Sequence, residues 1–158
     1  MKKRVYIETS IPSFYFEARI EPEMIARRNW TRDWWDHQAR KYDLVTSLAV
    51  IEELSDGNYP NKKNVLGLMK DVTIIPVDEE IIEIVDAYIA HKAMPKDPRG
   101  DALHLAMATY HKCDFLLTWN CQHLANANKF GHIIRVNTML KMATPVMVTP
   151  LELLGGLL

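Results

Sequence analysis

The chain has 158 residues, 48% of them hydrophobic and 25% charged, with 19 Lys or Arg against 20 Asp or Glu and a formal net charge of −1. That length fits one domain spanning residues 1–158, and the balance is that of a globular protein rather than a disordered, collagenous or disulfide-stapled one. A charge so near zero excludes a protein that coats nucleic acid with a basic surface, but not one that meets nucleic acid at a single local site.

In chain order, Lys2-Lys3-Arg4 leads into Val5-Tyr6-Ile7, a short buried strand that Glu8 interrupts, so no secretory leader is expected. No stretch approaches the roughly 18 apolar residues of a membrane span, which makes the cytoplasm the expected compartment and a membrane partner unexpected. Pro12 suits the first turn of a short helix over 11–17. Residues 21–41, with Met24, Ile25, Trp30, Trp34 and Trp35, read as one long helix. A second strand over 44–46 precedes a helix over 48–54 that Gly57 stops, and then a helix over 62–70. The β-branched run 72–76 is a strand. Apolar residues at 81, 82, 84, 85, 88 and 89 give a helical period over 78–91, with Asp78, Glu79 and Glu80 at its positive end. Asp97 and Pro98 predict a helix start, as N-cap and first helical residue, continued over 102–110. Phe115-Leu116-Leu117 forms a buried strand within 114–118. Residues 120–126 and 129–142 read as helices, 145–149 as the last strand and 150–154 as a last helical turn. Short apolar strands alternating with helices predict an α/β fold with a mainly parallel sheet of about five strands.

Ligands of such sheets bind outside the carboxyl ends of the strands. Glu8 directly follows the first strand, and Asn120 follows the fourth after Thr118 and Trp119. The helix after the second strand carries Glu52 and Glu53, which point about 100° apart, so only one of them can face inward. Asp101 falls near the first turn of the helix before the fourth strand. Carboxylates gathered at one edge repel unless a cation or proton intervenes. Mg²⁺ and Mn²⁺ prefer such oxygen ligands and leave room for water and phosphate, so metal-assisted phosphodiester hydrolysis is the expected chemistry. Taken singly, each acid has a plainer use in a loop or cap, as with Asp97 on its helix and Asp114 at the entrance of a strand.

Several segments resemble one family. Val5-Tyr6-Ile7-Glu8-Thr9-Ser10 resembles the opening strand of PIN domains, which reads apolar-apolar-Asp-Thr-Ser. Glu53-Leu54-Ser55-Asp56-Gly57 resembles their Glu-Leu-x-x-Gly element, and Gly100-Asp101-Ala102-Leu103-His104-Leu105-Ala106 their central Asp-x-x-x-x-Ala helix. Leu116-Leu117-Thr118-Trp119-Asn120 resembles the closing strand, and residues 148–154 the tail of many toxin-type members. The resemblance implies a three-layer α/β/α PIN-like fold. It also implies a Mg²⁺- or Mn²⁺-dependent ribonuclease cutting single-stranded RNA, of the VapC-like kind found as toxins of type II toxin–antitoxin pairs. Such proteins are homodimers held inactive by a cognate antitoxin. Carried over residue by residue, the catalytic and metal-binding positions fall on Glu8, Glu53, Asp101 and Asn120, with the hydroxyls of Thr9, Ser10 and Thr118 supporting them. Glu8 stands where the family has Asp, and Asn120 where Asp is frequent. These departures keep a second expectation open, a PIN-like protein that binds RNA or an antitoxin without cleaving.

For gripping RNA, Arg27, Arg28, Arg32, Arg40 and Lys41 lie among the tryptophans of the long helix. Arg28, Arg32 and Trp35 share a face by their spacing, a combination that suits single-stranded nucleic acid. The alternative is that the tryptophans are core or dimer contacts and the arginines solvated. A zinc site from His111, Cys113, Cys121 and His123 is excluded, because the five strand residues between its halves span roughly 16 Å. Two cysteines make no disulfide framework. No glycine-rich phosphate loop occurs, and a receiver-type acidic pair and lysine are missing. Charge is uneven: residues 1–70 hold 12 basic and 10 acidic side chains, and residues 71–158 hold 7 and 10.

Overall fold

The computed structural model describes residues 1–96 and 99–155, with residue 99 as backbone alone. The chain runs β1 (Arg4–Ile7), α1 (Ser10–Tyr15), α2 (Pro22–His37), a 3₁₀ turn (Ala39–Lys41), β2 (Asp43–Ser47), α3 (Leu48–Ser55) and α4 (Lys62–Leu68). It continues with β3 (Thr73–Ile75), α5 (Glu79–Ala90), α6 (Arg99–Tyr110), β4 (Phe115–Leu117), α7 (Ala127–Met139) and β5 (Val146–Val148). The expected strands are all present. Asp97 and Pro98, read as the start of α6, lie outside the described residues.

All four strand pairings are parallel, in the order β3-β2-β1-β4-β5. Short apolar strands with no polar face must be covered on both sides. Helices α1 to α4 pack together, and α5, α6 and α7 form a second group. Right-handed crossovers that run first one way and then the other from β1 put these groups on opposite faces. The result is a three-layer α/β/α fold.

Tyr6, Ile7, Leu116 and Leu117 of the two middle strands are fully buried. Ile11 and Trp34 cover them from one side and Leu105, Met107 and Ile81 add to the same core. Among the described residues no helix is long and apolar enough to cross a membrane.

Two expectations need correcting. The helix read over 21–41 ends at His37, with Gln38 capping it by donating to the Trp34 carbonyl before the chain tightens into the 3₁₀ turn ahead of β2. Residues 120–126 form turns, not a helix. The side-chain oxygen of Asn120 accepts hydrogen bonds from the backbone N–H groups of Gln122 (3.2 Å) and His123 (3.0 Å), closing one local turn. The Asn126 side chain then accepts from the Asn128 N–H and caps α7. Two side chains that favour capping thus divide the segment before it can propagate.

Candidate functional site

Strand order reverses direction at β1 and β4, the switch point at which open parallel sheets leave a crevice beyond the strand ends. The backbone N–H of Glu8 continues the ladder to the Leu117 carbonyl, 3.2 Å away, so the residues after β1 and β4 emerge side by side. Glu8 is 8% exposed, as is Asp101. The structure gathers the sequence-predicted residues here in two hydrogen-bonded groups, one of Glu8, Asp101 and Asn120 and one around Glu53.

Glu8 is held by hydroxyls. Ser10 and Thr118 both donate to its Oε1, each at 2.5 Å. Neither oxygen is left idle: Ser10 Oγ accepts from the Trp119 N–H and Thr118 Oγ1 from the Asn120 N–H. Glu8 Oε2 takes no hydrogen bond among the described residues.

Asp101 sits in the first turn of α6. Its Oδ1 accepts from the Asn120 side-chain amide at 3.0 Å. Its Oδ2 is buried and has no hydrogen-bond partner. Asn120 therefore spends its oxygen on two backbone amides and turns its nitrogen towards Asp101, which makes it an orienting group for that carboxyl.

Glu53 projects from α3 to the same place; it is exposed, as Glu52 is, and what separates the two is the partners Glu53 finds there. Thr9 donates to Glu53 Oε2 at 2.7 Å, and His104 Nε2 stands 3.1 Å from Oε1. His104 is a site residue that the sequence reading missed. It is 2% exposed and three residues after Asp101, on the same face of α6. Its Nδ1 lies 2.8 Å from the Tyr6 hydroxyl, which is 2.7 Å from Ser47 Oγ. Ser47 in turn caps α3 by accepting the Val50 N–H. A polar string, buried at Ser47, Tyr6 and His104, thus runs from β2 through β1 and α6 out to exposed Glu53. Gly100 lies directly behind the pair, where a Cβ would stand 3.4 Å from Glu53 Oε1.

Burial pulls the His104 pKa down, but the hydrogen bond to Glu53 and the charges of Glu8, Glu53 and Asp101 outweigh it and leave it raised. Burial pushes Glu53 up, and His104 together with Thr9 reverses this and holds it below its usual range. Tyr6 is pushed far up by burial and stays a neutral hydroxyl.

Among the described residues no three His, Cys, Asp or Glu side chains are grouped so as to hold a metal ion by themselves. The available donors are the buried, unpartnered Oδ2 of Asp101 and the second carboxylate oxygen of Glu8. A buried carboxylate oxygen without a donor is costly, and a hard divalent cation is the partner its chemistry suits. The residues present therefore fit such an ion at Asp101 and Glu8, completed by water.

Other expected candidates lie elsewhere. Asp114 accepts the Arg4 backbone N–H at the opposite end of the sheet, the strand-entrance role expected for it. Cys113 is buried, its thiol pushed up to about 12 by burial, while Cys121 is exposed and His111 faces the Pro76 carbonyl. The proposed Arg28, Arg32 and Trp35 face is not a free grip. Arg32 donates to the Tyr15 carbonyl, Arg28 to Asn29, and Trp35 packs edge-on against fully buried Trp34. No family model matches the chain, and no curated protein does either.

Proposed function

We propose that the protein is a PIN-like, Mg²⁺- or Mn²⁺-dependent endoribonuclease acting on single-stranded RNA, the VapC-like toxin of a type II toxin–antitoxin pair. The observation that carries this is the buried, unpartnered Oδ2 of Asp101, linked to Glu8 through Asn120 and Thr118 at the switch point of a parallel sheet. Glu8 and Asp101 would hold the ion. When bound, it supplies charge stabilisation at a phosphoryl oxygen and lowers the pKa of a coordinated water. Ser10 and Thr118 fix the Glu8 carboxyl, and Asn120 fixes that of Asp101. Glu53, held below its usual range, is a weak base and is suited to orienting water rather than taking its proton. The same reading carries a cognate antitoxin protein, a homodimer and a cytoplasmic setting.

The test is cleavage of a mixed RNA pool by the purified protein with Mn²⁺, beside an Asp101→Asn variant. Cleavage is expected from the parent, with a loss of about a hundredfold or more in the variant. No cleavage by the parent with either ion, or equal rates for both proteins, sinks the proposal. The Asn120 oxygen and both Glu53 oxygens are already engaged. That favours one second reading, a PIN-like protein that binds RNA or antitoxin without cutting, and the same assay decides between them.

A further inference from the structure

Trp119 lies between Thr118 and Asn120, and three groups enclose it. Trp30 stacks on it with ring centres 6.1 Å apart and planes 26° from parallel, and Phe14 lies at 6.0 Å. The guanidinium of Arg27 sits over the Trp119 ring at 5.2 Å and over that of Phe14 at 5.7 Å. Trp119 is itself anchored by its indole N–H to Thr31 Oγ1 and by its backbone N–H to Ser10, the residue that holds Glu8.

Arg27 differs from the other arginines of this region. Arg19 is taken up by Glu17 and Arg32 by the Tyr15 carbonyl, while Arg28 has a single exposed contact of 3.4 Å to Asn29 and, among the described residues, no aromatic ring to fix its head. The Arg27 guanidinium makes no hydrogen bond or ion pair among the described residues, although the residue is only half-buried and its head is fixed between two rings. Five donors in a preset plane, with no carboxylate to neutralise them, form a ready anion site. Stacking limits the side-chain freedom that binding would otherwise cost.

We infer that Arg27 is the phosphate grip of this protein. It takes a backbone phosphate of single-stranded RNA next to the one presented to Glu8 and Asp101, with Trp119 as the shared wall of the two sites. This rests on the RNA reading above but not on cleavage. The position on the aromatic cluster also replaces the Arg28 and Arg32 face that sequence spacing suggested.

The experiment is fluorescence anisotropy of a labelled single-stranded oligoribonucleotide with Ca²⁺ in place of Mg²⁺, run across a series of salt concentrations. Arg27→Gln is expected to weaken binding about tenfold and to reduce the slope of log affinity against log salt by about 0.7, the contribution of one phosphate on a single strand. Arg27→Lys, which keeps the charge, should restore the slope but not all of the affinity. Arg28→Gln, on the same helix, should stay within about twofold. Each variant is checked for an unchanged melting temperature, and the lysine variant stands in if the glutamine one does not fold. Binding by Arg27→Gln within twofold of the parent and with the parent slope overturns the inference, and so does a parent that does not bind the probe. A parent that binds through Arg27 yet never cuts RNA with Mn²⁺ leaves the inference standing and removes the nuclease reading.

Discussion

Among the described residues, the polar cluster around Tyr88 and the one at the carboxyl end of the sheet differ in completeness. Around Tyr88, the hydroxyl lies 2.6 Å from Oδ1 of Asn137 and 3.0 Å from Thr109 Oγ1, while the Asn137 amide donates to Thr144 at 3.0 Å. That cluster holds no carboxyl group, and every member has a partner. It ties α5, α6 and α7 together. At the carboxyl end of the sheet, Glu8, Asp101 and His104 are buried with Glu53 at their exposed rim, and one buried oxygen of Asp101 has no partner. A satisfied polar cluster serves the architecture, whereas an unsatisfied one costs stability that something else must justify. The orphaned oxygen is where the two regions part.

The largest effect that would break this contrast is a pair of substitutions read by thermal unfolding. Asn137→Leu removes the shorter of the two Tyr88 hydroxyl contacts and the donor to Thr144, and should cost about 1–3 kcal/mol, a fall of several degrees in Tm. Asp101→Asn, which supplies donors where an acceptor stood alone, should leave Tm unchanged or raised even as it removes activity. If Asp101→Asn destabilises as much as Asn137→Leu, the carboxyl end is as structural as the Tyr88 cluster.

A smaller effect is the pH dependence that separates them. Glu53 is lowered from 4.5, so its contribution is present above that value and lost as pH falls through the lower folded pKa. His104 is raised from 6.5, so its contribution is complete below that value and lost as pH rises through the higher folded pKa. The pair therefore stabilises most between these two reference values. Subtracting the Tm profile of His104→Gln from that of the parent should show a maximum there. Tyr88, pushed up to about 12 by burial, predicts no such feature in the same range for its cluster. A flat difference profile would mean that His104 and Glu53 do not interact in solution.

The smallest effect concerns Gly100. Its added Cβ would meet Glu53 Oε1 at ordinary contact distance. Gly100→Ala should stabilise α6 by roughly 0.5–1 kcal/mol through helix propensity while changing cleavage by less than about threefold. A larger loss of activity would show that Glu53 has no freedom to shift.

Much of this was legible beforehand. Val5-Tyr6-Ile7 and Phe115-Leu116-Leu117 are too short and too apolar to be anything but buried strands, and each is followed by a polar group at the strand end. That reasoning brings Glu8 and Asn120 to one edge, the helix start before β4 adds Asp101, and only the resemblance carried by the Leu-x-x-Gly after Glu53 selects it over Glu52. Three things were not legible. The turn at 120–126 depends on one side chain accepting from its own backbone, which apolar spacing does not register. His104 stands in an apolar helical run, and a lone buried histidine reads as core. Its position three residues after Asp101 was the available signal. The Arg27 and Trp119 contact joins residues 92 positions apart, and no local pattern encodes it.

The central place of β1 has a consequence for timing. Its Val5 pairs with Leu44 on one side and Phe115 on the other, and Glu8 is fixed by a hydroxyl at Thr118. Contacts of such long sequence separation form late, because the loop they close must be paid for first. A growing chain carries Glu8 and its partner Ser10 from the start, but the second hydroxyl that fixes the carboxyl is missing until Thr118 has been synthesised and β4 has docked. The assembled centre is thus a property of the folded chain as a whole, and its appearance during synthesis should coincide with the last cooperative step of folding.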